Sequence, residues 1–131
     1  NRTVLALNGG ARLGSFAHNT GEGSISKWHQ EPGGDLIWQI GTGYFGCRKL
    51  EDGTFSEALF AQRSKLDAVK MIEIKLSQGA KPGHGGILPA AKLSPEIAKI
   101  RGVPMGKDVL SPPAHSAPLT KPPLAQSRDV T

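Results

Sequence analysis

Lys81 is the side chain whose neighbours best equip it for chemistry. It lies in Ile72-Glu73-Ile74-Lys75-Leu76-Ser77-Gln78-Gly79-Ala80-Lys81-Pro82-Gly83-His84-Gly85-Gly86, which begins as a strand and ends as a glycine-rich loop. An ammonium group among exposed backbone N–H groups makes a nest that attracts carboxylate or phosphate. Lys75 and Gln78 flank the end of the same strand. Arg101 adds a guanidinium, which can grip a carboxylate through two parallel hydrogen bonds. Glu22 lies between glycines in Thr20-Gly21-Glu22-Gly23, where no packing argument calls for a carboxylate. Such a group can accept a proton. Each candidate also has a plain structural alternative. For Lys81 it is a solvated loop lysine, and for Glu22 a surface turn. For Arg101 it is a cation complementing the dipole of a helix's last turn. For Lys75 it is an ion pair with Glu73, and for Gln78 a strand-end amide.

Other chemistries find no support. His18, His29, His84 and His115 have no HxH or HxxxH spacing, and with the lone Cys47 they make no recognisable metal site. One cysteine permits no intrachain disulfide and cannot hold an iron–sulfur cluster. No GxSxG elbow and no GxxxxGK[ST] phosphate loop is present. The formal net charge is +5, but the lysines and arginines are scattered without aromatic interleaving. A nucleic-acid footprint would need them clustered. No apolar run reaches the length of a membrane span and no signal pattern opens the chain, so a cytoplasmic location is expected.

The elements that must position these side chains read as follows. Arg2 to Leu7 is expected to be the end of a helix stopped by Gly9-Gly10, following some earlier segment. Ser15 to Asn19 is a short strand candidate, and Thr20 to Gly34 reads as a long loop. Asp35 to Gly41 is a compact apolar run suited to a buried strand. Ser56 can cap a helix to Leu66. Val69 to Leu76 alternates, with Ile72, Ile74 and Leu76 on one face and Met71, Glu73 and Lys75 on the other. The charged face would meet water in a surface strand, or a polar site inside a barrel. Ser94, Pro95 and Gly102 mark the cap, first position and stop of a short helix. Past Val103 the pattern fades, and residues 116–131 read as a disordered or non-homologous tail. The strand–helix–strand order predicts that Asp35–Gly41 and Val69–Ser77 are parallel neighbours joined by a right-handed crossover.

The run E-I-K followed by Q-G-A-K-P-G-x-G-G resembles the flavin-containing central domain of glutamate synthase. Asn19-Thr20-Gly21-Glu22-Gly23 resembles the family's N-T-G-E-G turn, and Leu93 to Arg101 followed by Ser111-Pro112-Pro113 matches the region after the lysine loop. The resemblance covers about Val4 to His115 and is nearest to the shorter stand-alone branch of the family. It departs in three places. Ser24 stands where the family commonly has a second glycine. His84 and Ile87 stand where many members have glutamate and glutamine, and Ile87 cannot hydrogen-bond through its side chain.

The resemblance implies an FMN-binding (β/α)8 barrel that makes glutamate from 2-oxoglutarate and ammonia by reducing 2-iminoglutarate. It implies that Glu22 and Lys81 are catalytic, that Lys81 and Arg101 bind substrate carboxylate, and that Lys75 and Gln78 face the flavin. An iron–sulfur cluster is expected only in a longer protein, and the electron donor is not implied. Such a barrel needs about 250 residues, with a lower limit near 200. The present 131 residues can hold only part of one. Residues 1–115 are therefore expected to form a fragment of an α/β barrel, with a missing barrel half or a homo-oligomer as partner. The alternative is a non-catalytic remnant or a subunit that completes a barrel.

Overall fold

A computed structural model describes residues 2–78 and 83–117. Its centre is a three-stranded parallel sheet built from β1 (His18–Asn19), β2 (Leu36–Ile40) and β3 (Val69–Ile74), in the order β1-β2-β3. Trp38 lies opposite Ile72 and Gln39 opposite Glu73. The register shifts between Leu36 and Ile37, opposite Val69 and Met71. The expected parallel pairing of the two long strands is thus present, with α3 (Glu57–Ser64) between them in sequence.

Two faces result from the period-two geometry of the strands. Leu36, Trp38 and Ile40 point into a core with Ile25, Tyr44 and Cys47, packed by Phe55, Phe60 and Ile72. Trp38 stacks on Phe60 of α3 at 5.8 Å between ring centroids. The opposite face carries Gln39 and Glu73. Gln39 donates to Glu73 at 2.9 Å, and Asn19 donates to the other oxygen of the same carboxylate. Glu73 therefore belongs to a polar ladder across all three strands.

Local signals set α3 and α4 (Pro95–Arg101) as expected. The Ser56 hydroxyl accepts from Leu59 N–H, and the Ser94 hydroxyl from Ile97 N–H. Gly102 takes the left-handed conformation that ends α4. A second core gathers Phe45, Leu93, Ala98, Val103 and Val109.

Four expectations change. Helix α1 (Arg2–Gly14) does not stop at Gly9-Gly10 but runs on to Gly14. Asn8 is fully buried and ties the helix to Gly34, donating to its carbonyl at 3.3 Å and accepting from its N–H at 2.9 Å. That anchorage, with buried Ala11, outweighs the poor helix propensity of glycine. The strand expected over Ser15 to Asn19 shortens to His18–Asn19, because α1 occupies Gly14 and Ser15 takes a left-handed turn. The Thr20–Gly34 stretch contains a short helix, α2 (Lys27–Gln30). After Val103 the chain forms β5 (Val109–Ser111), which pairs antiparallel with β4 (Gly86–Leu88). The sequence there lacks a long alternating run because this ladder pairs only three residues on each strand.

Candidate active site

Glu22, Lys75, Gln78 and Arg101 come together at the carboxyl ends of the parallel strands. Glu22 rides on the turn leaving β1. Thr20 N–H donates to Ile37 O at 3.0 Å, and the Thr20 hydroxyl accepts from Gln39 N–H at 3.1 Å, so the turn is fastened to β2. Gly41, just past the end of β2, makes the approach possible. A Cβ at Gly41 would lie 2.9 Å from Glu22 Oε2 and 3.2 Å from Glu22 Cβ.

Lys75 follows the last residue of β3, and its N–H still donates to Ile40 O at 2.9 Å. Its ammonium lies 3.2 Å from Glu22 Oε2 and 3.0 Å from Gln78 Oε1. Gln78 Nε2 donates to the same Glu22 oxygen at 3.0 Å, closing a three-membered ring. His115 donates from Nε2 to the Lys75 carbonyl at 2.9 Å and lies against Tyr44. The ion pair is partly exposed, with side-chain accessibilities of 29% and 32%. The partner of Lys75 is therefore Glu22 and not Glu73, the alternative its strand neighbours offered. Glu73 is already held by Gln39 and Asn19.

Arg101 closes α4, half-buried, with its guanidinium 4.8 Å from the centroid of the Phe45 ring. A cation over an aromatic face is attracted by the ring quadrupole. Burial holds the Arg101 guanidinium below its ordinary range, and the Glu22 charge opposes that shift. A Cβ at Gly23 would lie 3.7 Å from an Arg101 nitrogen. Beside the guanidinium lies a cleft of about 260 Å³, lined by Gly23, Ser24, His29, Ile97, Ile100 and Arg101 among others. Lys81 falls outside the described residues. Ile87 is exposed on β4.

Several supporting residues carry only weak sequence signals. Gln39 is one polar residue inside an apolar run, which marks it as facing something polar. Phe45 and His115 have no local signal. Ser24 has a left-handed conformation, φ 79°. Its hydroxyl accepts from Arg63 at 3.2 Å, which helps hold that conformation.

Cys47 is fully buried, and burial pushes its thiol up to about 12, which disfavours the nucleophilic thiolate at neutral pH. Among the described residues no group of three or more His, Cys, Asp or Glu side chains could hold a metal ion. Among them, too, no helix is long and apolar enough to cross a membrane.

Comparison with known proteins decides the family. The model described as "Conserved region in glutamate synthase" matches residues 1–127. The chain belongs to the glutamate synthase family. It is 47% identical over 112 residues to the glutamate synthase large subunit-like protein YerD of Bacillus subtilis, covering 85% of this chain and 21% of that protein. It is 37% identical over 112 residues to the archaeal-type glutamate synthase [NADPH] of Thermotoga sp. strain RQ2, covering 86% of this chain and 19% of the relative. The archaeal glutamate synthase [NADPH] of Archaeoglobus fulgidus is 38% identical over 98 residues, covering 74% and 16%. The chain thus spans about a fifth of the length of such relatives. No solved structure matches it.

Proposed function

We propose that this chain is part of a glutamate synthase-like FMN oxidoreductase of the cytoplasm. Its substrates are 2-oxoglutarate and ammonia. Ammonia condenses with the keto carbon, water leaves, and the resulting 2-iminoglutarate accepts a hydride and a proton to give glutamate. The observation that carries this reading is the convergence of Glu22, Lys75 and Gln78, with Arg101 beside them, at the carboxyl ends of parallel strands. Ligand sites of α/β barrels lie at that end.

In this reading Glu22 receives ammonia and takes up the proton released as nitrogen attacks carbon. Arg101 holds a 2-oxoglutarate carboxylate through its planar fork, with the adjoining cleft as room for the chain. To Lys81, outside the described residues, this reading assigns a second charge for the substrate carboxylate and a catalytic role shared with Glu22.

The flavin fits what this chain offers in part. The Lys75 ammonium and the Gln78 amide are donors suited to the carbonyl edge of a flavin ring. The phosphate site of such barrels lies in loops after strands 7 and 8, and the three parallel strands among the described residues are fewer than the eight of a complete barrel. When bound, FMN supplies the hydride that reduces the imine. Lys75 and Gln78 would orient its ring, and positive charge there favours the reduced form.

A second reading, a subunit that completes a barrel without catalysing, is favoured by β3. That strand ends the sheet, with Met71 and Ile74 exposed at 59% and 49%. Incubating the intact protein with FMN, a chemical reductant, 2-oxoglutarate and ammonium separates the two. Glutamate formation that falls sharply in Arg101→Ala supports the enzyme. Absence of both flavin binding and glutamate supports the barrel-completing subunit.

A further inference from the structure

We propose that Lys75 is an internal stand-in for ammonium, closing a cation site formed by Glu22 and Gln78 until an anionic ligand draws it away. The inference rests on the reading that Glu22 receives ammonia, and adds how that position is kept shut.

The lysine head group is a substituted ammonium ion. It is strongly hydrated, carries three donors and accepts nothing. In the structure two acceptors hold it, Glu22 Oε2 at 3.2 Å and Gln78 Oε1 at 3.0 Å. A free ammonium ion would seek the same acceptors at the same distances. Gln78 is oriented for the task, because its Nε2 donates to Glu22 and leaves Oε1 facing the cation. Gly41 leaves the space that the carboxylate needs to reach this position. The pocket for the nitrogen is thus built, and its present occupant is tethered to the chain.

A tethered occupant competes at high effective concentration, since its backbone is fixed by the Lys75–Ile40 and His115–Lys75 hydrogen bonds. Free ammonium at ordinary levels does not displace it. A lysine stem has four rotatable bonds, so the head group can swing without movement of the strand. An incoming carboxylate offers it a second anion. Once the ammonium of Lys75 turns to that anion, Glu22 and Gln78 stand open. The two ligands then bind with positive coupling, and by linkage each raises the affinity of the other.

The test follows the Gln78 side-chain amide resonances by NMR while ammonium chloride is added to the intact protein. Lys75→Ala removes the stand-in and makes room, so this variant shifts saturably with ammonium alone, at least about tenfold more tightly than the unaltered protein. Adding Glu22→Gln to Lys75→Ala abolishes the response. In the unaltered protein the shift is expected only when 2-oxoglutarate is present. A folded Lys75→Ala variant that shows no saturable shift overturns the inference. So does an unaltered protein that responds to ammonium as readily without 2-oxoglutarate as with it. That second comparison needs no mutation and stands even if the variant fails to fold. A protein that makes no glutamate, yet whose Lys75→Ala variant takes up ammonium, keeps this inference and removes the synthase reading.

Discussion

At the scale of single residues, Arg101 and His29 make separable demands. Replacing Arg101 with lysine keeps the charge and deletes the planar fork. If the guanidinium holds a substrate carboxylate, a charge-assisted hydrogen bond worth roughly 1.5–3 kcal/mol is lost. The expected result is about a tenfold to hundredfold rise in KM for 2-oxoglutarate. Steady-state kinetics checks it, with unfolding midpoints showing whether the fold is kept. His29 answers to pH instead. Its Nδ1 accepts from Ser26 N–H at 3.0 Å and lies 2.8 Å from the Ser26 hydroxyl. Burial, then the neighbouring His18, lowers His29 to about 4, against a hydrogen bond to the Thr20 backbone. His18 itself is lowered by burial. In the unfolded chain His29 takes up its proton near its ordinary 6.5. The unfolded state therefore binds more protons between the two values, and stability falls as pH drops from about 6.5 to about 4. The loss attributable to His29 is about 3 kcal/mol by the end of that window. Urea unfolding across the pH range measures it. His29→Gln, which keeps an acceptor and cannot titrate, flattens the profile.

At the scale of elements, the contrast between two glycines tests what holds α1. Gly10 is helical and nothing lies within 4 Å of a Cβ placed there. Gly10→Ala is expected to stabilise by about 0.5–1 kcal/mol through helix propensity and unfolded-chain entropy. A Cβ at Gly34 would meet Asn8 O at 2.7 Å, so Gly34→Ala pushes α1 off its anchor and destabilises, by roughly 1–3 kcal/mol. Chemical denaturation of both variants gives the two signs. The same pair shows which parts of the fold were legible in the sequence. Helices α3 and α4 were, because Ser56, Ser94, Pro95 and Gly102 signal within one turn. Strands β2 and β3 were, because their apolar patterns are local. The continuation of α1 was not, since it depends on a contact between Asn8 and Gly34, 26 positions apart. Helix α2 was missed because His29, not glutamate or glutamine, fills the third position of its capping box. The candidate site divides similarly. Glu22, Lys75, Gln78 and Arg101 stood out through the resemblance to glutamate synthase, since local sequence alone left each with a plain structural alternative. That Lys75 meets Glu22, 53 positions away, depends on how the turn after β1 lies over the mouth of β3.

At the scale of the whole molecule, three parallel strands with one apolar core and one polar face are a mixed α/β arrangement consistent with part of a barrel. The chain alone is expected to hold FMN poorly, because the polar face is open to water and the three parallel strands among the described residues are fewer than the eight of a complete barrel. Quenching of flavin fluorescence on titration with the isolated chain checks this. Tight one-to-one binding would show that these residues make a complete flavin site. The exposed edge of β3 carries a related expectation. Unpaired strand edges recruit other strands, so the isolated chain should self-associate more readily than the intact protein. Sedimentation at increasing concentration would register the difference.

The buried thiol of Cys47 gives this molecule a clock of its own. A sulfur with no access to solvent, held almost entirely as the unreactive thiol, can be alkylated only during excursions that open the core around Trp38 and Tyr44. Being the lone cysteine of these 131 residues, it yields a single, unmixed signal from the isolated chain, and its own peptide identifies it in a longer one. When reclosure outruns the reagent, the labelling rate divided by that of a free thiol is the fraction of time the core stands open. A mass spectrometer could then follow how far the remainder of a longer protein, or a bound ligand, slows those excursions, with no probe introduced into the chain.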